Sequence, residues 1–456
     1  MSNASARLGT AYVYDNALRN ISARQTSLSN LQENLSSGKR VVRASDDPVA
    51  SAQAERALTR LERIKTDQRA LEAQRNAVAQ AESTLGEANG LMQEARELIV
   101  RAGDPTLTPA DRRTVADQIN GLREQLLAVS NRKDTNGVPL LSALGSAIDP
   151  FNGPLSASPD YQFKGLAGQT ASTAVGIPLA LDGDAAFMFQ PKRDGAYNAV
   201  VNNVDPAGSG TVLPISNNRT LNTSGITATD PGLVSGNNYT LSFGPETPGA
   251  TAGTIKRDIT ITEIDPVTGA PTATPSTTVT LPDYDPTKPF KLDVPGSGDP
   301  LGLKALVPGL SFSITATPTR QTDGTLNPSI LDGDTITLQT TPSIFSVLDS
   351  AVRNIGGAAN NNAAIQAVGQ ALANIDKGME RVLTVRGQAG ELLNRADRIT
   401  GDQEKRSIQL EADRSRAEDL DMIKGVSDFQ NQQTGYQAAL QSYAQIQKLS
   451  LFNFIG

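Results

Sequence analysis

Apolar residues recur at every seventh position along the first part of the chain. The row that begins at Ala57 and ends at Leu85 keeps this spacing without a break, and the apolar residues after it follow at intervals of three and four up to Ile99. An α-helix turns once every 3.6 residues or so, which places these side chains on one narrow face. The pattern predicts a long helix over about 48–101.

Glycine, proline and short polar residues mark the helix boundaries in this flank. Gly38 predicts a helix stop, and Asp47-Pro48 predicts an N-cap followed by proline in the first turn. Asp104-Pro105 ends the long helix, Thr108-Pro109 begins another, and Asn136-Gly137 predicts a turn.

The last part of the chain repeats the helical pattern. After Gly356-Gly357, apolar residues between Ile375 and Ala396 keep heptad spacing, and Arg386 interrupts the row. Heptad rows on both flanks predict helices that pack on one another, as in a coiled coil or a slender bundle.

The middle of the chain differs in composition. Residues 146–345 contain 22 of the 26 prolines and carry a net charge of −8. Short β-branched segments such as 239–243, 258–262, 277–281 and 335–338 are separated by Gly, Pro, Asn and Asp, as in an antiparallel β domain. We therefore predict an α+β fold, in which both termini form an elongated antiparallel helical bundle or coiled coil and a β-rich domain is inserted between them.

Bulky apolar side chains gather near the two ends of the chain, at helical spacing. They form a predicted assembly interface, which consists of Leu18, Ile21, Leu28, Leu31, Leu35, Met422, Val426, Phe429, Tyr436, Leu440, Tyr443, Leu451 and Phe452. A second interpretation is that these residues only cap a small core within one subunit. Both interpretations remain open, because a helix that is buried in an assembly is exposed in the separate subunit.

Composition disfavours most enzyme classes. The 456 residues include no cysteine and no histidine, which excludes disulfides, Cys/His zinc sites and nucleophiles activated by histidine. The modest net charge of −7 disfavours nucleic acid as the main partner. No apolar run approaches the ~18 residues of a membrane span, and the N-terminus lacks the apolar core of a secretory signal. We predict no catalytic residue, no cofactor and no metal site.

Three acidic clusters are interpreted as structural. Asp46-Asp47 with Glu55 is expected to be a helix N-cap with acid near the positive end of the helix dipole, not a metal site. Asp182-Gly183-Asp184 and Asp332-Gly333-Asp334 are expected to be turns between strands, because neither has the spaced ligands of an EF-hand loop.

Two end motifs carry a family resemblance. Residues 35–41 (LSSGKRV) with 45–48 (SDDP) resemble the N-terminal signature of flagellins and hook-associated proteins. Residues 437–443 (QAALQSY) with 449–455 (LSLFNFI) resemble the hook–filament junction proteins of the bacterial flagellin family. The motifs at 419–421 (DLD) and 161–165 (YQFKG) are similar to that family too. One departure is Ala44, where the family often has proline.

The resemblance implies a layered subunit. Residues 1–45 with 420–456 would form a terminal helical layer, 46–145 with 346–419 a helical rod, and 146–345 an outward β-rich domain. It also implies secretion by type III export to the hook–filament junction of the flagellum. The implied partners are further copies in a ring, a neighbouring hook-associated protein, flagellin, and an export chaperone on the C-terminal helix, with no nucleic acid and no membrane.

Two other functions stay open at this point. The chain could be a filament flagellin, or its β-rich insert could carry a glycan-binding or enzymatic module.

Overall fold

The computed structural model describes residues 3–156, 159–204, 212–214, 220–272, 276–294, 307–320, 326–358 and 360–455. Its helices are α1 (Asn3–Ser37), α2 (Pro48–Ala102), α3 (Pro109–Ser130), α4 (Gly183–Phe187), α5 (Pro191–Asp194), α6 (Ile344–Gly356), α7 (Asn361–Glu418) and α8 (Met422–Ile455). The α+β class is confirmed, with helices at both ends of the chain and antiparallel strands between them.

The strands lie between α3 and α6. They are β1 (Phe151–Asn152), β2 (Gln162–Phe163), β3 (Tyr197–Val204), β4 (Val212–Pro214), β5 (Thr220–Ala228), β6 (Asn238–Pro248), β7 (Ile255–Ile264), β8 (Thr277–Thr280), β9 (Phe290–Val294), β10 (Leu310–Thr317), β11 (Thr319–Arg320), β12 (Leu326–Asn327) and β13 (Thr335–Thr340). Each of the four β-branched segments predicted to be extended lies in or overlaps a strand.

Contacts divide the chain into two compact units. The first comprises Met1–Leu71 with Asp397–Gly456, and the second comprises Glu72–Ala396. The helices α2 and α7 each contribute residues to both units. The predicted division into a terminal layer, a rod and an insert uses different borders and stays a prediction.

In the first unit, two predicted helix boundaries are confirmed, one by a backbone angle and one by a hydrogen bond. Gly38 follows the last residue of α1 with a φ of 69°, a conformation in which glycine avoids the strain of a Cβ. At the start of α2, the Asp47 carboxylate accepts a hydrogen bond from the backbone N–H of Ala50 at 3.0 Å. The small core beside this cap consists of Val41, Ala50, Ala54 and Ala417.

In the second unit, the heptad rows face the interior of the helical part. Val78 and Leu85 of α2 are fully buried, and so are Ile375, Val382 and Ala389 of α7. The N-terminus of α3 is closed by Thr108, whose side chain exchanges hydrogen bonds with Asp111 in a capping box. The predicted cap at Thr108-Pro109 is therefore confirmed.

The β-rich part of the second unit has one hydrophobic core shared by two antiparallel sheets. A six-stranded sheet has the order β4-β3-β13-β6-β7-β8, and a three-stranded sheet has the order β5-β10-β9. Leu241, Ile259 and Ile336 from the first sheet belong to the same buried cluster as Phe312 and Ile314 from the second. Alternate burial along β10 matches the period of two that a half-buried strand requires.

An aromatic cluster lies where the β-rich part begins and ends. The ring of Phe151 is 5.1 Å from that of Phe163, 5.5 Å from Phe187 and 5.7 Å from Phe345. Tyr161 completes the cluster, 5.3 Å from Phe345. These rings come from segments nearly 200 residues apart in the sequence. Most pairs pack edge-on or tilted, and Phe187 stacks on Phe345 at 5.8 Å.

One expectation about local structure is corrected. Asp182-Gly183-Asp184 is not a turn between strands, because the Asp182 carboxylate accepts from the Ala185 amide and caps α4. The other DGD segment is a turn, in which Gly333 has a φ of 83°.

Candidate assembly interface

The two terminal helices pack against each other in the first unit, and their directions are opposite. Gly425, near the start of α8, lies against the side chain of Leu35 near the end of α1. Ten residues further along α8, Gly435 lies against the side chain of Arg24, which is eleven residues earlier in α1. Following this register places Leu31 opposite the turn of Phe429.

The turns that connect these helices to α2 and α7 hold the pair together. The amide of Leu420 donates to the carbonyl of Gly38 at 2.9 Å, and the amide of Arg40 donates to that of Glu418 at 2.7 Å. The Arg40 guanidinium also donates to the Ala417 carbonyl at 2.9 Å and to Asp47 at 3.2 Å. These bonds fix both helix junctions side by side.

The carboxylate at this junction is stabilised in its charged form. Asp47 has a pKa below its ordinary value, first because the Ala50 amide donates to the carboxylate and second because Arg40 does. Asp46 accepts from the amides of Val42 and Arg43 and so shapes the same loop. The expectation that this acidic pair is structural agrees with these bonds.

The predicted interface residues lie on the two paired helices, yet none of their described side chains is fully buried. Exposed fractions are 43% for Leu18, 49% for Met422, 43% for Val426 and 41% for Leu440. The remaining described members are half-buried, namely Ile21, Leu28, Leu31, Leu35, Phe429, Tyr436 and Tyr443. Leu451 and Phe452 belong to α8, but their side chains lie outside the described residues.

One strongly apolar residue on α8 was missed by the sequence reasoning. Ile423 is 87% exposed, and it lies beside Met422 in the first turn of the helix. It falls outside the seven-residue row of Phe429, Tyr436 and Tyr443. The sequence signal for Ile423 is its position directly beside Met422, which widens the apolar face beyond the heptad row.

A second surface of the first unit was not predicted. A groove of about 590 Å³ is lined by residues of the α1–α2 connection, of α2 and of the end of α7, including Arg40, Arg56, Arg60 and Arg416. Arg40 and Arg416 pair with Asp47 and Asp413. No ion pair with a described residue is found for Arg56 or Arg60, which lie one turn apart on α2.

A metal site or a membrane-spanning helix would support a different function. Within the described parts of the chain, no group of three or more His, Cys, Asp and Glu side chains is arranged to hold a metal ion. Among those residues, no helix combines the length and the hydropathy needed to cross a membrane.

Comparison with known proteins shows where flagellin regions lie in the chain. Residues 9–145 match the bacterial flagellin N-terminal helical region, and residues 372–455 match the bacterial flagellin C-terminal helical region. Both helical regions of bacterial flagellins are therefore recognised in the chain, one at each end. The matched ranges include α1 from residue 9, α2, α3 and most of α7 and α8.

Two curated relatives carry one name. Flagellar hook-associated protein 3 of Salmonella typhimurium is 32% identical to the chain over 146 residues, and that of Escherichia coli K12 is 29% identical over 146 residues. Each match spans 32% of this chain and 46% of the relative, so it covers about half the length of those proteins. These matches support a structural protein of the flagellum.

Solved structures agree on the fold. The flagellar hook-associated protein-3 of Legionella pneumophila has a TM-score of 0.54 at 21% identity, over 78% of this chain and 97% of that one. A structure described as the flagellar junction protein of the same organism has a TM-score of 0.52 at 22% identity, over 80% and 100%. At this level of identity the likeness concerns the fold alone.

Proposed function

We propose that this chain is a structural axial subunit of the bacterial flagellum that joins the hook to the filament. Its terminal helices α1 and α8 would be the assembly layer, packed against further copies in a ring. The names of the two curated relatives and of the solved structures support the junction role. Non-enzymatic function is supported by the structural nature of the flagellin family.

The observation that carries this proposal is the exposed apolar part of the predicted assembly interface on the α1–α8 pair, which we call the seam. Leu18, Met422, Val426 and Leu440 each expose more than two fifths of their surface. Two helices cannot cover each other on all sides, so the seam has surface left for a third and fourth helix. Burying each large side chain there contributes about 1.5–3 kcal/mol, and a closed ring repeats that contact in every subunit.

The remaining proposed partners are a neighbouring hook-associated protein, flagellin and an export chaperone. A neighbouring hook-associated protein and flagellin would lie on either side of the ring. An export chaperone would hold the amphipathic α8 before assembly, as helix-binding grooves commonly do. Arg56 and Arg60 in the basic groove are suited to carboxylates on an adjacent subunit, because guanidinium groups pair bidentately with them.

The proposed layers would follow the predicted borders. The terminal layer would be 1–45 with 420–456, the rod 46–145 with 346–419, and the outward domain 146–345. The abrupt rise in proline content at 146 and its end at 345 support the last of these.

The competing interpretation is a filament flagellin, and protein abundance separates the two. Flagella sheared from cells would be dissociated and their subunits quantified by mass spectrometry against labelled standards. A junction subunit should be present at a small, fixed number of copies per flagellum, whatever the filament length. Copy number that rises in proportion to filament length would contradict the junction role and support the filament role.

A further inference from the structure

Helix α7 carries a polar stripe that faces the β-rich part of the second unit. Gln366, Gln370, Asn374, Lys377 and Arg381 are spaced by four, four, three and four residues, which places them on one face of the helix. The apolar row of α7 lies on another face and is buried. Polar side chains of α7 therefore take part in its contact with the β-rich part.

The C-terminal half of this stripe is joined to the β-rich part by direct hydrogen bonds. Asn374 Nδ2 donates to the Tyr197 carbonyl at 3.0 Å. Lys377 Nζ donates to the carbonyl of Gly195 at 2.8 Å and to that of Ile226 at 2.9 Å. Arg381 Nε donates to the Ala185 carbonyl at 3.1 Å. Each of these polar side chains has at least one direct protein partner.

The preceding half of the stripe borders a cavity with a different character. A space of about 80 Å³ lies between α7 and strand β5, beside Tyr197, Asn222, Thr223 and Gln370. Each of these four side chains has a buried polar atom with no hydrogen-bond partner among the described residues: Tyr197 Oη, Asn222 Oδ1, Thr223 Oγ1 and Gln370 Nε2. Exposed fractions are 1% for Tyr197, 2% for Thr223 and 8% for Gln370.

The backbone at this place also needs polar partners. Strand β5 is at the edge of its three-stranded sheet, and residues 222–226 of that strand line the cavity consecutively. Lys377 takes the Ile226 carbonyl on this edge. Edge strands leave a row of backbone N–H and C=O groups that must bond elsewhere.

The size and the chemistry of the cavity select its ligand. Its lining is neutral and offers both donors and acceptors, which suits neither an isolated ion nor an apolar molecule. The cavity volume of about 80 Å³ is too small for a typical small-molecule site, which has about 300–1,000 Å³. It does accommodate several waters, each of which needs roughly 10–15 Å³ by the same measure and two to four polar partners.

We propose that this cavity is a binding site for a small cluster of ordered water molecules that joins β5 and β3 to α7. Water bound there bridges Tyr197, Thr223 and Gln370, and thereby completes the polar contact that Asn374, Lys377 and Arg381 make directly. The site gives this part of the contact between α7 and the β-rich part a hydrated, polar character. This inference does not depend on the flagellar role of the chain.

Thr223→Val in the full chain gives opposite results for a hydrated and a dry cavity. In a hydrated cavity the valine removes a bond to water, so the unfolding temperature should fall by roughly 2–4 °C. In a dry cavity the valine removes an unsatisfied hydroxyl, so the unfolding temperature should rise. Thr277→Val on the exposed strand β8 is the matched control and should change little.

A crystal structure of the full chain at high resolution provides the second measurement. We expect at least two ordered waters within hydrogen-bond distance of Tyr197 Oη, Asn222 Oδ1 or Gln370 Nε2. A stabilised Thr223→Val variant, or a cavity whose polar atoms pair with each other without water, would overturn the proposal.

Discussion

Removal of the buried carboxylate of Asp349 should strongly destabilise the second unit. In α6, Asp349 forms an ion pair with Arg123 of α3 and accepts a 2.9 Å hydrogen bond from the Tyr161 hydroxyl. Side-chain exposure is 8% for Asp349 and 11% for Arg123. The same carboxylate therefore connects two helices to the aromatic cluster at the base of the β-rich part.

The magnitude follows from the charge that the substitution leaves behind. In Asp349→Ala, Arg123 loses its buried counter-ion and keeps only the exposed carboxylate of Glu124 at 3.3 Å, while Tyr161 loses its acceptor. Breaking a buried pair in this way costs about 3–5 kcal/mol of the free energy of unfolding. Substituting both partners together, as in Arg123→Met with Asp349→Leu, should cost far less, because neither charge is then left buried.

A second Arg–Asp pair in the same unit provides the matched control. Arg96 of α2 and Asp376 of α7 are 2.7 Å apart, but their side chains are 43% and 50% exposed. Asp376→Ala should therefore cost less than about 1 kcal/mol. Urea unfolding followed by far-ultraviolet circular dichroism measures both variants. The reasoning is refuted if Asp349→Ala and Asp376→Ala destabilise the protein equally.

Three further outcomes are expected. The double variant Tyr436→Ala with Tyr443→Ala should not be incorporated into flagella, as measured by immunoblot of purified flagella. The control Gln437→Ala on the same helix should be incorporated normally. Normal incorporation of the double variant would refute the role of the seam. Amides in residues up to about 45 and from about 420 should exchange rapidly with deuterium in the dilute monomer, because the seam has too few partners there to offset about 1–2 kcal/mol of ordering entropy per residue; strong protection would contradict this. Raising the pH from 8 to 10 should stabilise the wild type relative to Lys377→Met by about 2–3 kcal/mol in urea unfolding. Burial lowers the pKa of Lys377 to about 8, so the folded chain binds fewer protons than the unfolded chain in this pH range. An equal pH dependence of both proteins would show that the pKa of Lys377 is not lowered in the folded chain.

Local signals in the sequence were sufficient for most of the secondary structure. The helix predicted over 48–101 is α2, at Pro48–Ala102. An N-cap, a proline and an unbroken apolar row predict it, and all of these signals lie in the helix itself or directly before it. The same holds for Thr108 and α3. In such places one short segment contains every group that decides the structure.

Contacts between distant segments could not be predicted in this way. Phe151, Phe187 and Phe345 meet in one cluster although nothing in their local spacing relates them. The polar stripe of α7 has helical period, but a stripe of Gln, Asn and Lys ordinarily faces solvent, so its burial depends on the β-rich part that covers it. Ion pairs such as Arg123 with Asp349 were missed for the same reason.

The candidate interface was predicted in position more than in detail. The described interface residues do lie on two paired helices, and four of them keep more than two fifths of their surface exposed. The overlooked Ile423 extends the same apolar surface, which is consistent with a partner wider than one helix.

The position of the protein on an intact flagellum tests the central claim most directly. A small epitope in the exposed turn at residues 266–269 of the β-rich part would be labelled with gold-conjugated antibody and viewed by electron microscopy. The junction role predicts a single narrow band of label at the distal end of the hook. Label distributed along the filament, or absent from flagella altogether, would contradict it.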